Sequence, residues 1–290
     1  MNSCRAILIA GPTASGKSAL ALQLAQERGG VVVNADSMQV YRDLRILTAR
    51  PADGDLRTCE HALYGHIDGA EPYSVARWLT DAAETMARCW RSGRLPIVVG
   101  GTGLYFKARL EGLSPVPPVP DEIRTHWRGK AERLGSGELH ALLAARDMHT
   151  AARLQPNDRQ RLTRALEVLD ATGRGLSDWQ REKGVPVVEA SQVERLLVVP
   201  DRNVIYHRAD ARLDRMIGSG AVDEVRALTA RGITREAPVM RALGVGRLRD
   251  AIEGRTTLPN AVAHTKLDTR HYIKRQLTWI KRHMIAWKLV

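Results

Sequence analysis

The residues best suited to chemistry form a glycine-rich segment near the start of the chain, Gly11-Pro12-Thr13-Ala14-Ser15-Gly16-Lys17-Ser18. The segment matches G-x-x-x-x-G-K-[ST] and stands between an apolar run and a helical pattern, the context in which such a motif binds phosphate. Backbone N–H groups can converge there on a phosphate chain at the positive end of a helix, and Lys17 adds a charge. The Ser18 hydroxyl can ligate a phosphate-bound Mg²⁺ ion. The motif predicts a di- or triphosphate ligand.

Two later segments hold candidate catalytic side chains directly after apolar runs. Asn34-Ala35-Asp36-Ser37-Met38-Gln39 follows residues 31–33, and Gly100-Gly101-Thr102-Gly103 follows residues 96–99. Because strand carboxyl ends face the ligand crevice in an open α/β sheet, we expect Asp36 and Thr102 beside the phosphate loop. Position alone leaves other roles open: Asp36 could cap a helix or support Mg²⁺ indirectly, and the glycines could form a purely structural turn.

The elements that must position these residues are short strands and helices in alternation. Four apolar runs, residues 6–10, 31–33, 96–99 and 196–199, are unalternated, as strands covered on both faces should be. Helical patterns over residues 17–27 and 75–90 separate the first three. Strands that alternate with helices predict an α/β fold, with a parallel sheet of the P-loop type flanked by helices.

A proline-rich stretch interrupts this alternation. Residues 114–120 contain four prolines, which favour a stiff extended linker. From Asp121 to about Ser191 the pattern is helical, and the fourth strand comes only afterwards. We therefore predict an all-helical domain over residues 115–191, inserted into a core formed by residues 1–114 and 192–290.

The composition of the 290 residues is that of a globular protein, with 44% hydrophobic and 26% charged residues. No apolar run approaches the roughly 18 residues that span a bilayer, and the apolar start is too short for a signal peptide. Three cysteines without CxxC spacing suggest neither disulfides nor a zinc site. We expect a cytoplasmic protein with no membrane association.

A formal net charge of +12 indicates an anionic partner, for which nucleic acid, phosphorylated metabolites and membrane surfaces all qualify. The charge is concentrated in a C-terminal helical pattern, where residues 266–288 contain seven Lys or Arg and one acid, Asp268. Ile273, Leu277, Ile280 and Met284 form an apolar stripe there. A polarised basic helix is suited to a phosphate backbone, although a solvated face and a membrane surface remain alternatives.

Three segments together resemble one protein family. GPTASGKS, NADSMQVYRDL and IVVGGTGLYFKA are similar, in order and spacing, to the tRNA dimethylallyltransferases, also called tRNA isopentenyltransferases. The similarity extends over residues 6–285, including residues 156–168, residues 220–225 and the basic C-terminal helix. It implies transfer of a dimethylallyl group from dimethylallyl diphosphate to N6 of the adenosine 3′ to the anticodon. It also implies a diphosphate donor in the phosphate loop, and we expect the enzyme to act as a monomer.

The resemblance further implies which residues contact tRNA, and it makes the inserted domain a tRNA-binding domain. From composition alone, the polar residues of the helix near residue 160 would form a solvated face, and the resemblance reverses that interpretation. The implied contacts are Asp36, Ser37, Met38, Gln39, Thr102, Arg124, Gln160, Arg161, Leu162, Thr163, Arg164, Arg241, Ala242, Leu243, Gly244, Val245 and Gly246.

One segment departs from the family pattern. The loop from Met240 to Arg247 retains Arg241 and Gly244, but Val245-Gly246 replaces an aromatic residue followed by a basic one. The contacts of those two side chains are therefore missing, and Arg247, one place later, is a candidate to replace the basic one.

The chemistry required defines the predicted roles. Adenine N6 is a weak nucleophile, so the allylic carbon must gain cationic character as diphosphate leaves. We expect Lys17, a Mg²⁺ ion held through Ser18, and Arg208 on the first turn of the helix after the fourth strand to stabilise the leaving group. Asp36 would orient or deprotonate N6, and Thr102 would lie near the scissile oxygen. The adenine must leave its stack to reach the donor.

Two other classes of function remain open at this stage. A P-loop small-molecule kinase would share the sheet and the phosphate loop, but it would have no use for the basic C-terminal helix. A non-catalytic RNA-binding protein would keep the basic helices but would not need an intact phosphate loop.

Overall fold

The structure is a computed structural model that describes residues 4–182, 184–186 and 188–290. Six strands of these residues form one sheet in which every pair is parallel. In chain order they are β1 (Ala6–Ala10), β2 (Gly30–Asn34), β3 (His61–Ala62), β4 (Leu95–Gly100), β5 (Val193–Leu197) and β6 (Lys288–Leu289). The spatial order is β3-β2-β4-β1-β5-β6. The predicted parallel α/β sheet is confirmed, with two more strands than predicted.

The described chain also contains thirteen α-helices. They are α1 (Lys17–Arg28), α2 (Asp53–Thr58), α3 (Val75–Arg91), α4 (Gly103–Glu111), α5 (Asp121–Arg133), α6 (Ser136–Arg146), α7 (Met148–Ala151), α8 (Arg159–Thr172), α9 (Leu176–Trp179), α10 (Arg202–Gly218), α11 (Ala221–Ala230), α12 (Val245–Ile252) and α13 (Leu258–His283). Short 3-10 helices occupy Ala190–Gln192 and Pro238–Arg241.

Strand β1 lies at the centre of the sheet, between β4 and β5, and all five of its residues are buried. Side chains alternate between the two faces of a strand, so β1 contributes to two cores. Leu8 packs on one face with a cluster that includes Trp78, Phe106 and Ile280. Ile9 packs on the other face with α1. This double coverage explains why β1 has an unbroken apolar sequence.

The other strands differ in part from the sequence prediction. The fourth predicted strand was placed at residues 196–199, whereas β5 begins three residues earlier, at Val193. The prediction missed Val193, Glu194 and Arg195 because this part of the strand carries charged residues. β3 and β6 were not predicted because each has only two residues and no apolar run.

A second apolar cluster joins the segment after β2 to the C-terminal helices. Tyr41 and Leu44 pack there with Val225 of α11 and Val245 of α12. Glu224 of α11 reinforces the contact, because its carboxylate accepts hydrogen bonds from the backbone N–H groups of residues 45, 46 and 47. The segment that carries Asp36 is therefore fixed to α11 at its far end.

The chain divides into two compact units, Met1–Leu110 with Val187–Val290, and Glu111–Pro186. The predicted domain boundaries, residues 114 and 192, lie a few residues C-terminal to these. The second unit consists of α5 to α9 and the segments between them, around a core that includes Trp127, Leu139 and Leu162. Its assignment as a tRNA-binding domain stays a prediction.

The prediction that helix continues to about Ser191 is wrong. Helix α9 ends at Trp179, and the described residues from 180 to 189 contain no helix. Gly184 and Pro186 stand in this stretch, where each disfavours a helix interior.

Among the described helices, none is both long and apolar enough to cross a membrane.

Arg109 of α4 is an unusual member of the interior. Its side chain is 1% exposed, and within the described part of the chain its guanidinium donates a hydrogen bond only to the Sδ atom of Met86, leaving Nε and Nη1 without a hydrogen-bond partner. Desolvation lowers the pKa of Arg109 to about 10. A buried charge without a counter-ion destabilises the folded state.

Replacing this arginine should therefore stabilise the protein. We expect Arg109→Met to increase the free energy of unfolding by about 1–4 kcal/mol, as when apolar residues replace buried ionic groups. The melting temperature, measured by calorimetry, should rise by about 2–4 °C for each kcal/mol. Arg91→Met, at an exposed residue of α3, is the control and should change the melting temperature little. A large decrease for Arg109→Met would mean that the guanidinium has a stabilising partner.

Candidate functional site

The carboxyl ends of β1, β2 and β4 lie at one edge of the sheet. The strand registers align Ala10 with Gly100, and Asn34 with Val99, so the segments that follow these strands begin side by side. The glycine-rich loop follows β1, the Asp36 segment follows β2, and the Thr102 segment follows β4. The expected convergence of the three segments is therefore present.

The glycine-rich loop has the geometry of an anion site. Gly16, the N-cap of α1, has φ 99°, a left-handed conformation that glycine adopts without steric cost. No side chain caps α1 and its first turn has no acidic residue, so its N–H groups are available to an anion. The Ser15 hydroxyl is buried and has no partner within the described residues. Lys17 Nζ donates a hydrogen bond to the carbonyl oxygen of Pro12, at 3.1 Å.

The segment after β2 is held by Asn34, whose side chain is fully buried. Asn34 Oδ1 accepts a hydrogen bond from the N–H of Asp36 at 2.8 Å, and Asn34 Nδ2 donates to the carbonyl oxygens of Asp36 and Leu63. The Asp36 carboxylate accepts from the N–H of Met38 at 2.9 Å through Oδ1. A buried amide thus fixes the backbone of Asp36, while its second carboxylate oxygen has no hydrogen bond within the described chain.

Thr102 connects the second and third segments. Its Oγ1 accepts a hydrogen bond from the N–H of Ser37 at 3.0 Å, and its hydroxyl donates to Ser37 Oγ at 3.4 Å. The N–H of Thr102 also donates to the carbonyl oxygen of Ala35. These bonds bring Thr102 next to the Asp36 turn, as predicted. They also give its hydroxyl a structural role that the sequence did not indicate.

Two desolvated cations interact with the Asp36 carboxylate. Burial lowers the pKa of Lys17 to about 8, and Asp36 opposes this shift while Arg212 adds to it. Burial also lowers the pKa of Arg212, again opposed by Asp36. Arg212 forms no ion pair with a carboxylate of the described residues. The site thus has more positive than negative charge in a desolvated setting, which suits a multiply charged anion.

The negative charge of Asp36 also acts on three tyrosines. The pKa values of Tyr64, Tyr105 and Tyr272 are raised well above the usual range, mainly by burial and next by the negative charge of Asp36. Tyr105 also stacks on Trp78, with ring centroids 4.3 Å apart. These residues come from three distant parts of the chain. No local motif indicated that they lie within electrostatic reach of Asp36.

Arg212 is the functional candidate that the sequence analysis missed. The prediction named Arg208 and put it on the first turn of the helix after the fourth strand. That placement is wrong, because α10 begins at Arg202 and Arg208 therefore belongs to the second turn. Arg208 is exposed, whereas Arg212, one turn further along the same face, interacts with Lys17 and Asp36. A role for Arg208 stays a prediction.

Three more residues predicted to contact RNA follow Asp36, and the Gln39 side chain is already engaged in hydrogen bonds within the protein. Ser37, Met38 and Gln39 are all partly buried. Gln39 uses its side-chain amide inside the protein, where Nε2 donates to the carbonyl oxygens of Thr48 and Ala49. This gives Gln39 a structural function, since it closes the loop that follows.

The loop that departs from the family pattern lines a cleft of about 370 Å³. Arg241 is exposed there and faces the cleft together with His271 and Arg275 of α13. Ala242 and Val245 are buried in the second apolar cluster, and Ala242 also lines the cleft. That these two residues contact tRNA stays a prediction. The other predicted residues of this loop, Leu243, Gly244 and Gly246, line the cleft.

Arg247 also lines this cleft, but its guanidinium is already engaged. Its Nε donates to Asp268 of α13 at 2.9 Å. Arg247 is therefore held in an exposed ion pair, and its replacement of the missing basic residue stays a prediction.

In the unit Glu111–Pro186, the predicted contacts separate into exposed and buried side chains. Gln160 and Arg161 are exposed at the start of α8, and Arg161 pairs with its N-cap residue Asp158. Leu162 is 0% exposed and Thr163 is also buried. That these two residues contact tRNA stays a prediction. Leu162 packs in the core because it lies on the inner face of the helix.

The two remaining arginines of this unit lie in local ion pairs. Arg124 pairs with Asp121 one turn away on α5, and Arg164 pairs with the buried Glu167 on α8. The Arg124 pair is exposed and contributes little to stability, so that guanidinium can exchange its partner for a phosphate at small cost.

Helix α13 presents different groups on its different faces. Ile273 and Ile280 are buried, as the apolar stripe predicted. Lys266 and Arg270 pair with Asp214 and Asp210 of α10. The exposed His271, Lys274, Arg275, Lys281 and Arg282 form no ion pair with the described residues. The basic surface is therefore narrower than the sequence predicted.

Two family models match the chain. "IPP transferase" matches residues 39–283, and "Isopentenyl transferase" matches residues 4–64. Curated relatives named tRNA dimethylallyltransferase include one from Methylobacterium nodulans, 54% identical over 282 residues that cover 97% of this chain and 93% of the relative. Another, from Bradyrhizobium sp., is 51% identical over 280 residues, covering 97% and 91%.

Solved structures of the same kind resemble this one along nearly the whole chain. The full-length tRNA isopentenylpyrophosphate transferase from Bacillus halodurans has a TM-score of 0.71 and 31% identity, covering 99% of this chain and 90% of its own. A eukaryotic dimethylallyltransferase described as acting on tRNA has a TM-score of 0.83 and 28% identity, covering 98% and 73%. From the family model over residues 39–283 and the relatives at half identity, the chain belongs to the IPP transferase family.

Proposed function

We propose that the protein is a tRNA dimethylallyltransferase, which joins a dimethylallyl group to N6 of the adenosine 3′ to the anticodon and releases diphosphate. The observation that carries the proposal is the Asp36 carboxylate, set between the glycine-rich loop and Thr102 and interacting with two desolvated cations. Family membership supports this function over both alternatives. A kinase needs no RNA surface, and an RNA-binding protein needs no phosphate loop.

The diphosphate of dimethylallyl diphosphate would bind at the N-terminus of α1. The free N–H groups there, the Ser15 hydroxyl and Lys17 are donors suited to phosphate oxygens. Arg212 would add a second positive charge beside Lys17. These groups stabilise the negative charge that develops on the leaving diphosphate, and such preorganised donors contribute most strongly where water is excluded.

The residues present also fit a Mg²⁺ ion. Ser18 is exposed at the start of α1, and its hydroxyl has no hydrogen bond within the described residues. In that part of the chain, no group of three or more His, Cys, Asp or Glu side chains is placed to hold a metal. Mg²⁺ needs few protein ligands when phosphate oxygens and water complete its coordination, so Ser18 would hold it with the diphosphate. The bound ion would neutralise charge on the leaving group.

Asp36 would act on the acceptor base. Its free carboxylate oxygen can accept a hydrogen bond from the N6 amino group and take up a proton as the new C–N bond forms. The C–O bond to diphosphate breaks in the same reaction, so the electron pair leaves with the diphosphate. Thr102 holds Ser37 and thereby the Asp36 turn, which makes it a positioning residue in this mechanism.

The RNA would be bound by exposed cations away from the site. The free cations of α13 and the exposed Arg241 can contact phosphates on the unit that holds the phosphate loop. Gln160, Arg161, Arg164 and Arg124 would supply such contacts from the unit Glu111–Pro186. The target adenine would be extruded from its stack to meet the donor, at a cost of roughly a few kcal/mol. That the enzyme acts as a monomer stays a prediction.

The direct test is to incubate the protein with an unmodified tRNA transcript and either dimethylallyl diphosphate or ATP. We expect the RNA to gain the mass of one dimethylallyl group with dimethylallyl diphosphate alone, measured by mass spectrometry of the nucleosides. Lys17→Ala should abolish the gain. A transcript with guanosine 3′ to the anticodon should gain nothing. ATP consumption without any gain in RNA mass would contradict the proposal and favour a kinase.

Donor binding should depend on pH through Lys17. The pKa of about 8 means that the ammonium loses its proton in the free protein as pH rises through that value. The dissociation constant for inorganic pyrophosphate should therefore rise above pH 8, approaching about tenfold per pH unit if only the ammonium form binds. Calorimetric titrations between pH 6.5 and 9.5 measure it. Lys17→Met is the control, because any pH dependence that it retains comes from the ionisation of pyrophosphate itself. If the dissociation constants of the two proteins change with pH in parallel, Lys17 does not have this role.

Asp36→Asn separates the two roles considered for this residue. Asparagine keeps the acceptor for the Met38 N–H but removes the charge, so the single-turnover rate should fall by about 10²–10⁴-fold with little change in KM for either substrate. Rapid quench at saturating donor and tRNA measures that rate. A near-normal rate with loss of Mg²⁺-dependent donor affinity would instead assign Asp36 to the environment of the metal.

A further inference from the structure

Gln276 of α13 joins the two segments that flank the site. Its Oε1 accepts a hydrogen bond from the backbone N–H of Thr13 in the glycine-rich loop, at 2.9 Å. Its Nε2 donates to the carbonyl oxygen of Gly101, directly after β4, at 3.0 Å. The side chain is 6% exposed, so both bonds are shielded from water. One carboxamide therefore spans the distance between the phosphate loop and the Thr102 segment.

The glycines after β4 fit this arrangement. A Cβ atom on Gly101 would lie 2.4 Å from Gln276 Nε2, and one on Gly103 would lie 2.0 Å from Nε1 of Trp279. Both distances are too short for real atoms, so neither position can carry a side chain while Gln276 and Trp279 keep these conformations. Glycine on both sides of Thr102 thus leaves room for the Gln276 and Trp279 side chains of α13. This packing explains why glycine is required at both positions, without invoking a ligand.

The bonded atoms are close in sequence to groups with proposed roles. Thr13 precedes Ser15 and Lys17 in the phosphate loop, and Gly101 precedes Thr102, which holds Ser37. A change in the Gln276 bridge would alter the separation of these two segments. Misplacement of reacting groups by about 1 Å can cost two orders of magnitude in rate.

We propose that Gln276 is a positioning residue for the transfer reaction, holding the diphosphate loop and the Thr102–Ser37 pair in register. The proposal rests on the function proposed above. The carboxamide meets both requirements, since the Thr13 N–H needs an acceptor and the Gly101 carbonyl needs a donor. A glutamate could accept from Thr13, but its second oxygen would face the Gly101 carbonyl oxygen and repel it.

The test compares two variants with a control on the same helix. Gln276→Met removes both bonds at similar volume, and Gln276→Glu keeps only the acceptor for Thr13. Thr278→Val is the control, because the Thr278 hydroxyl bonds only to the Lys274 carbonyl of its own helix. All three are assayed for single-turnover transfer at saturating donor and tRNA, for tRNA affinity, and for folding by circular dichroism at the assay temperature.

We expect Gln276→Met and Gln276→Glu to lose about 10- to 100-fold in the single-turnover rate. Their tRNA affinities should stay within about twofold of wild type, and Thr278→Val should match wild type throughout, as surface substitutions usually do. A merely structural role would reduce the folded fraction and leave the rate per folded molecule unchanged. Folded variants that transfer at the wild-type rate would overturn the proposal.

A second measurement separates failure of this inference from failure of the proposed function. If the wild-type protein transfers no dimethylallyl group, the proposed function is wrong. The role of Gln276 is then tested by comparing the affinities of the variants for pyrophosphate. Weaker pyrophosphate binding by Gln276→Met than by Thr278→Val would support a bridge that shapes the phosphate loop. Equal affinities in that assay would overturn it.

Discussion

The parallel pairing of β1 with β4 and β5 is the constraint on which the rest of the molecule depends. Parallel strands bring their carboxyl ends to one edge of the sheet, and the register sets Ala10 beside Gly100. The glycine-rich loop and the Thr102 segment therefore start at the same level. β2, which pairs with β4, adds the Asp36 segment. A shift of one residue in any of these registers would separate groups that must act on one bond.

The charge distribution at this edge follows from burial. Lys17 and Arg212 are desolvated and interact with a single carboxylate, so their positive charge exceeds what Asp36 neutralises. Such an arrangement is unfavourable in the free protein, and the lowered pKa of Lys17 reflects that cost. An anion that binds there regains the interaction, so a diphosphate is attracted before chemistry begins and stabilised as it departs.

Helix α13 connects the sheet edge to the surface. One face packs Ile273 and Ile280 into the interior, and Gln276 on that side bridges the two segments of the site. Another face carries cations that form no ion pair within the described chain, including Lys274 and Arg275. Ion pairs to α10 fix the start of the helix. The same rigid element therefore carries exposed cations and holds the phosphate loop, a combination suited to aligning a bound RNA with its donor.

What the sequence by itself determined is local. The glycine-rich loop, the long helices, the central strands and the position of Asp36 after a strand follow from dihedral preferences and periodicity over a few residues. The same patterns carried the family resemblance. The charged start of β5 and the two-residue strands have no such local signal, so they were missed or misplaced.

What only the tertiary structure decided depends on which faces of the helices pack together. Thr163 and Val245 are buried because packing decides which side of a helix faces solvent, and motif positions carry no such information. Arg212 rather than Arg208 interacts with Asp36 because α10 begins at Arg202 and packs at a particular rotation. Gln276 is 263 residues from Thr13, and no spacing rule reaches that far. Long-range contacts of this kind arise from the packing of whole elements, so they exist only once the chain has folded.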